Sequence, residues 1–324
     1  MTELHKLQAL ISNAVKDITY PEHPGQLYEP ISYILSLGGK RMRPALLLMA
    51  CELFGGDVNK AIAPALAIEV FHNFTLMHDD IMDKAPLRRG KTTVHERWNQ
   101  NVAILSGDVM LIEGYKLMMQ VDNSILRQVL DIFNETAVGV CEGQQIDMEF
   151  ETQSDVRIDE YINMIRLKTA VVLGGALKIG ALIGNASSKD ADLLCTFGVQ
   201  LGIAFQLQDD ILDVYGDPEK FGKQVGGDII SNKKTYLLIK ALELAKGKQA
   251  DELHSLLATA NFNNEEKVAA VTRIYNTLQV RQYAEDAMQT YADKAFEALD
   301  QINLPEEHKQ YLREFADGLL VREN

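Results

Sequence analysis

Apolar positions recur along most of the chain at the three-to-four-residue spacing of a helix, and no stretch alternates like a strand for long. The pattern predicts helices over Glu3–Ile18, Tyr28–Ser36, Pro44–Phe54, Ile62–Asp83, Val102–Gln120, Ser124–Glu149 and Ile158–Leu182. It continues with Ala191–Val214, Lys234–Ala245, Asp251–Ala258, Glu265–Asn276, Gln279–Gln301 and Glu306–Leu320. Start signals agree: Pro44 suits a first turn, and Asn123 and Ser124 can cap the helix behind them. Two stretches break the period. Lys84–Lys91 carries Arg88-Arg89-Gly90, and Tyr215–Asn232 is rich in Gly, Asp and Lys. A long connection with no pattern of its own is more often functional than a spacer.

The expected fold is therefore all-α. The 324 residues contain only 8 prolines and no Pro/Ser/Gly linker, so a single domain over residues 1–324 is expected. An apolar content of 47% supports a large core. The net charge of −14 argues against a nucleic-acid surface and makes any anionic substrate depend on local cations. Cys51, Cys141 and Cys195 lack disulfide or metal spacing, which suits a reducing cytoplasm. Met1–Asp17 reads as an amphipathic helix rather than a signal peptide. The longest apolar run, Ala170–Gly184, contains Lys178 and falls short of the ~20 residues that span a bilayer. Its glycines and alanines suggest close helix contact, with no stable membrane insertion.

Two acidic runs of identical layout carry the chemistry: Asp79-Asp80-Ile81-Met82-Asp83 and Asp209-Asp210-Ile211-Leu212-Asp213. At roughly 100° per residue, the three carboxylates of each run share one helix face. Like charges so placed repel, and each run ends an apolar helix, so a cation is required there. One acidic triplet at a helix end is usually a solvated cap; two with the same spacing, beside apolar residues, are not. Clusters of hard carboxylates suit Mg²⁺, which keeps waters and completes its shell with phosphate oxygens.

The bases match. Leu37-Gly38-Gly39-Lys40-Arg41-Met42-Arg43-Pro44 sets cations before a helix N-terminus that itself favours an anion. Lys40, Arg43, Arg88, Arg89, Lys168, Lys223 and Lys233 together bring +7 against −6 from the six aspartates. That balance suits metal ions bridging aspartate to two polyphosphates. His78 and His95 lack metal-ligand spacing and are read as structural. Lys234 reads as solvent-facing, and Asp108, Glu142 and Asp147 as either structural or supporting groups. No P-loop or dinucleotide pattern occurs.

These motifs resemble the trans-isoprenyl diphosphate synthases of the polyprenyl synthetase family. The likeness runs from about Gly38 to Tyr236. It takes in Gly-Gly-Lys-Arg-x-Arg-Pro, His72 seven residues before Asp79, Asp-Asp-x-x-Asp with Arg88-Arg89-Gly90, and Gly107-Asp108. It continues through Gly143-Gln144 with Asp147, Lys168-Thr169-Ala170, Phe205-Gln206 before the second run, and Gly222-Lys223 to Lys233. Departures are small: Leu237 stands where many members have proline, and no insertion widens the first run.

The resemblance implies a helical bundle with a central cavity, faced by both runs. It implies that Asp79, Asp80, Asp83, Asp209, Asp210 and Asp213 hold Mg²⁺ against an allylic diphosphate. Arg88, Lys168, Thr169, Gln206, Lys223 and Lys233 would surround that group, with Asp79, Asp80, Asp83, Asp209, Asp210 and Lys168 catalytic. Lys40, Arg43, His72 and Arg89 would hold isopentenyl diphosphate, and a homodimer is expected. The product would be short, geranylgeranyl diphosphate favoured and farnesyl next. One turn below Asp79 lies Thr75 and two turns below lies Phe71, roughly 12 Å away, a candidate wall for the growing chain. The resemblance points instead to Phe74, which an ideal helix turns about 140° from Asp79. Both phenylalanines stand as candidates. Three rivals are weaker. A class I terpene cyclase needs one diphosphate site, a non-catalytic partner subunit would lack some of these side chains, and neither run fits an EF-hand loop.

Overall fold

The computed structural model describes residues 3–217, 225–259 and 263–320. Its elements begin with α1 (Glu3–Lys16), α2 (Gly25–Ser36), α3 (Met42–Leu53) and α4 (Val58–Met82), then the two-residue strands β1 (Leu87–Arg88) and β2 (Lys91–Thr92). There follow α5 (Val94–Arg97), α6 (Gln100–Met118), α7 (Asn123–Phe150), α8 (Ile158–Ile165), a π-helical turn (Arg166–Ala170), α9 (Val171–Ile183) and α10 (Ser188–Tyr215). Six helices close the order: Gly227–Ile230, Tyr236–Leu244, Lys248–Ala258, Asn264–Thr277, Val280–Asp300 and Glu306–Leu320. The fold is all-α, as the periodicity predicts.

Three details depart from the pattern. The stretch after the first acidic run is a hairpin, with Leu87 paired to Thr92 and Arg88 to Lys91. Its two turn residues, Arg89 and Gly90, both have positive φ (54° and 72°), the geometry that matches the twist of paired strands. Two residues a side are too few for a period to show. Gly227–Ile230 forms a short helix inside the second irregular stretch. The predicted helix Ile158–Leu182 is interrupted by the π-turn.

The packing divides into two compact units, and two of the boundaries between them fall inside α7 and α10. The first comprises Met1–Thr136, Val172–Cys195 and Ile302–Leu312. Its α4 is preceded by Asp57, whose carboxylate accepts from the Asn59 N–H at 3.0 Å and caps the helix. From Ala61 to Phe74 nearly every side chain of α4 is buried, so the helix is apolar all round and packs along α6 and α3. In α9, a Cβ on Gly180 would lie 2.0 Å from the Leu47 carbonyl oxygen of α3, the close contact its small residues foretell. The second unit comprises Ala137–Val171, Thr196–Gln301 and Arg313–Asn324. Tyr161, Leu207, Leu237, Tyr275, Val280 and Ala284 lie buried at its core.

Candidate active site

In the first unit, α4 carries its apolar burial straight into the first aspartate run, and the three carboxylates end in different environments. Asp80 is buried at 2% exposure, Asp79 is half-buried and Asp83, the C-cap, is exposed. The hairpin returns Arg88 to the run. Its Nε and Nη2 donate to Asp80 Oδ1 at 2.9 and 2.6 Å, and Nη2 reaches Asp79 Oδ2 at 3.3 Å. Burial still pushes the Asp80 carboxyl above its ordinary range, although Arg88 opposes the shift.

The basic segment before α3 splits inward and outward. Arg41, in a left-handed conformation at φ 48°, is buried, pairs with Glu69 and donates to the Leu35 carbonyl at 2.8 Å. Glu69 also accepts from Asn73 Nδ2 at 2.8 Å. The pair went unmarked in the sequence, although a charged residue inside the apolar Ala61–Phe74 stretch is a signal for one, since a buried charge needs a partner. Arg43 Nη1 meets His72 Nε2 at 3.2 Å. Burial first, then the Arg43 and Arg89 charges, hold the His72 imidazole well below its ordinary pKa, so it is neutral and accepts from Arg43. Arg89 donates to the Gly38 carbonyl, tying the hairpin turn to the same segment. Lys40 is exposed, and its backbone carbonyl accepts from Gln8 Nε2 at 2.6 Å.

In the second unit, Asp209, Asp210 and Asp213 line a cavity of about 180 Å³ with Lys168, Thr169, Gln206 and Lys233, all of them expected there. Tyr161, Asp147 and Asp228 share the same walls. The expected Lys223 lies outside the described residues. Lys168 pairs with Asp147 at 2.6 Å. Both Lys168 and Thr169 sit on the π-turn, a geometry that recurs at functional sites. Two glycines make room for it. A Cβ at Gly143 of α7 would lie 2.2 Å from the Lys168 backbone nitrogen, and one at Gly202 of α10 would lie 2.7 Å from Ala170 Cα.

Asp210 is fully engaged inside the unit. Tyr161 donates its hydroxyl to Oδ2 at 2.5 Å, the Tyr236 N–H reaches the same oxygen at 3.3 Å, and Gln206 Nε2 approaches Oδ1 at 3.4 Å. Burial pushes the Asp210 carboxyl up to about 7. Asp213 accepts the Asp228 N–H at 3.0 Å, and its own carbonyl accepts the Gly226 N–H at 2.6 Å. Tyr161 carried no motif to mark it, and Asp228 stood unmarked in a stretch read only as a loop.

Of the candidate wall residues, Phe71 is 1% exposed and packs edge-on against Phe133, with centroids 5.3 Å apart. Phe74 is 9% exposed and lies between Phe71 at 5.8 Å and the His78 ring at 4.8 Å. Thr75 is half-buried and donates its hydroxyl to the His72 carbonyl at 2.8 Å. His78 also meets the Ile104 carbonyl at 3.2 Å, in keeping with a structural part.

Among the described residues, no three His, Cys, Asp or Glu side chains converge on one preformed metal position. Mg²⁺ is commonly held by one or two carboxylates with waters and phosphate oxygens. Asp209 and Asp213, four residues apart on α10 and lining one cavity, supply such an oxygen-only set. The donor chemistry fits.

Residues 24–275 match the polyprenyl synthetase family. A geranylgeranyl diphosphate synthase of Methanosarcina mazei is 35% identical over 324 residues, 99% of this chain and 97% of that one. Another, of Sulfolobus acidocaldarius, is 37% identical and covers 94% of this chain and 96% of its own. A crystal structure of a geranylgeranyl pyrophosphate synthase superposes with a TM-score of 0.95 at 44% identity, covering 100% of both chains. The chain belongs to the polyprenyl synthetase family. No helix among the described residues is long and apolar enough to cross a membrane.

Proposed function

We propose that the chain works as one polyprenyl synthetase domain and joins isopentenyl diphosphate to an allylic diphosphate, head to tail and in trans. The observation that carries this reading is the second cavity, where Asp209 and Asp213 share walls with Lys168, Thr169, Gln206 and Lys233. Carboxylates for a metal stand there beside donors for a diphosphate. The first run, with Arg88 folded onto it and Arg43 nearby on His72, supplies a second set of the same kind.

Asp79, Asp83, Asp209 and Asp213 would hold Mg²⁺, which when bound neutralises the charge that builds on departing pyrophosphate. Asp80 Oδ1 is engaged by Arg88 and Asp210 Oδ2 by Tyr161, so on this reading these two would join the metal set through their other oxygens and also fix the surrounding donors. Lys168 and Lys233 would bind the allylic diphosphate and stabilise it further as it leaves, which lowers the barrier. As the allylic C–O bond breaks, the isopentenyl double bond attacks the allylic carbon, and loss of a proton restores an alkene. No nucleophilic side chain is required. Neutral His72 would orient the Arg43 guanidinium toward isopentenyl diphosphate without adding a charge of its own.

The product is short, geranylgeranyl diphosphate first, which the names of several relatives support, and farnesyl next on our own reading. Ile104, Leu105 and Ile112 of α6, with Met119 at its end, are 43 to 58% exposed, which supports a homodimer that covers them. Three unpaired cysteines suit a cytoplasmic setting. The test is to incubate the pure protein with labelled isopentenyl diphosphate, an allylic primer and Mg²⁺, then chromatograph the product. A longer linear diphosphate is expected; a cyclised hydrocarbon or no turnover would sink the reading. Light scattering of the same sample checks the dimer.

A further inference from the structure

Lys267 is an anomaly in the second unit: a lysine only 5% exposed, on the helix Asn264–Thr277, outside every motif discussed above. Its Nζ donates to the Ile230 carbonyl at 3.1 Å and to Asn232 Oδ1 at 2.7 Å. Ile230 is the last residue of the short helix Gly227–Ile230, where the carbonyl end of a helix favours a cation. Asn232 adopts a left-handed conformation at φ 56° and donates its amide to the Leu257 carbonyl at 3.1 Å. One residue later comes Lys233, whose N–H donates to the Asp228 carbonyl at 2.9 Å.

The other end of this segment is fixed by the next residue of the same helix. Gly226, at φ 85°, lies so close to Val268 that a Cβ there would come within 2.7 Å of Val268 Cγ2. From that point the N–H groups of Gly226 and Asp228 both bond to Asp213. Lys267 and Val268 thus grip the segment that carries Asp228 and Lys233, at its two ends. Burial lowers the Lys267 pKa.

We propose that Lys267 is a positioning residue: through Ile230 and Asn232 it sets Lys233 and Asp228 against the second aspartate run, and so tunes the allylic diphosphate side of the site. The inference rests on the function proposed above. A side chain of equal length without the ammonium would leave two carbonyl oxygens facing one another in a buried space. The segment would then shift, and Lys233 with it.

The experiment compares full-length wild type with Lys267→Met, Lys267→Arg and Asn232→Gly. The glycine keeps the left-handed backbone while removing the same link from the other side. Lys267→Met and Asn232→Gly should raise KM for the allylic diphosphate about tenfold or more, as expected for lost hydrogen bonds to a charged group. KM for isopentenyl diphosphate should stay within about twofold, since uniform damage would move both substrates alike. Lys267→Arg should recover most of the loss. A purely structural role predicts equal rises for both substrates alongside a lower Tm, and that result overturns the proposal. So does an unchanged allylic KM. If Lys267→Met fails to fold, Asn232→Gly carries the same expectation. Should wild type show no turnover, the proposed function fails first. Thermal stabilisation by Mg²⁺ with pyrophosphate then still compares wild type with the variants, and equal shifts overturn the positioning role.

Discussion

The Tyr161 hydroxyl donates to the Asp210 carboxylate at 2.5 Å, from a helix 49 residues earlier in the chain. Tyr161 is 2% exposed and Asp210 is 3% exposed, so the bond lies wholly inside the second unit. The same carboxylate receives the Tyr236 N–H just after the segment that carries Lys233. Asp210 is thus tied within the unit while it lines the cavity together with Asp209 and Asp213.

Tyr161→Phe removes that donor without changing the packing volume much. A buried acceptor left short of a partner costs about 1–3 kcal/mol. The variant should lose that much stability in urea unfolding. An unchanged midpoint at an unchanged m-value would show that Asp210 draws its support elsewhere.

Asp79→Ala and Asp209→Ala should each lose at least ~10²-fold in kcat while KM for isopentenyl diphosphate rises far less. Metal-held charge stabilises the transition state more than the ground state. Steady-state kinetics across Mg²⁺ concentrations decide the point. Near-normal turnover of Asp79→Ala at modest Mg²⁺ would count heavily against the mechanism.

Arg43→Ala should chiefly weaken isopentenyl diphosphate binding. The guanidinium meets His72 at 3.2 Å, and charge-assisted contacts from it to a diphosphate would be worth about 1.5–3 kcal/mol each. KM for that substrate should rise by one to two orders of magnitude, as such an energy implies. A rise confined to the allylic substrate would reassign Arg43.

His72 makes stability depend on pH. Its folded pKa lies well below 6.5, because burial and the arginines Arg43 and Arg89 oppose the charged ring. Below pH 6.5 the unfolded chain takes up a proton that the folded protein refuses, so stability falls as pH falls, by up to ~1.4 kcal/mol per pH unit. His72→Gln keeps an acceptor for Arg43 but does not titrate. Unfolding midpoints taken downward from pH 6.5 should fall less steeply for the variant, and parallel curves would refute a neutral His72.

Phe74→Ala should lengthen the product more cleanly than Phe71→Ala. Each added methylene buried gains ~0.8 kcal/mol, so only a wall stops growth. Phe71 is locked against Phe133, and its truncation should also cost about 3–5 kcal/mol of stability through the cavity left behind. Product chromatography of both single variants and the double variant tests this. If none makes a longer chain, the wall is on another helix.

The helices were legible because apolar periodicity is local. A face that must be buried repeats every three to four residues whatever it packs against. The aspartate runs were legible for the converse reason: three carboxylates ending an apolar helix contradict that face, and only chemistry accounts for them. Glu69 within α4 is a similar contradiction that went unmarked in the sequence, and Arg41 resolves it.

What the sequence by itself determined is an all-α chain and the residue types of a metal–diphosphate site. Tertiary structure alone decided which members of each run turn inward. Asp80 and Asp79 are adjacent in sequence and alike in charge, yet Arg88, on the first strand of the hairpin, binds Asp80 most closely. The π-turn under Lys168 exists because Gly143 and Gly202 admit its backbone from two helices, and a register slip of that kind leaves no period to read. Tyr161 and Lys267 were invisible for the same reason. A hydrogen bond between residues tens of positions apart has no local signature, because its partners are chosen by how the helices pack.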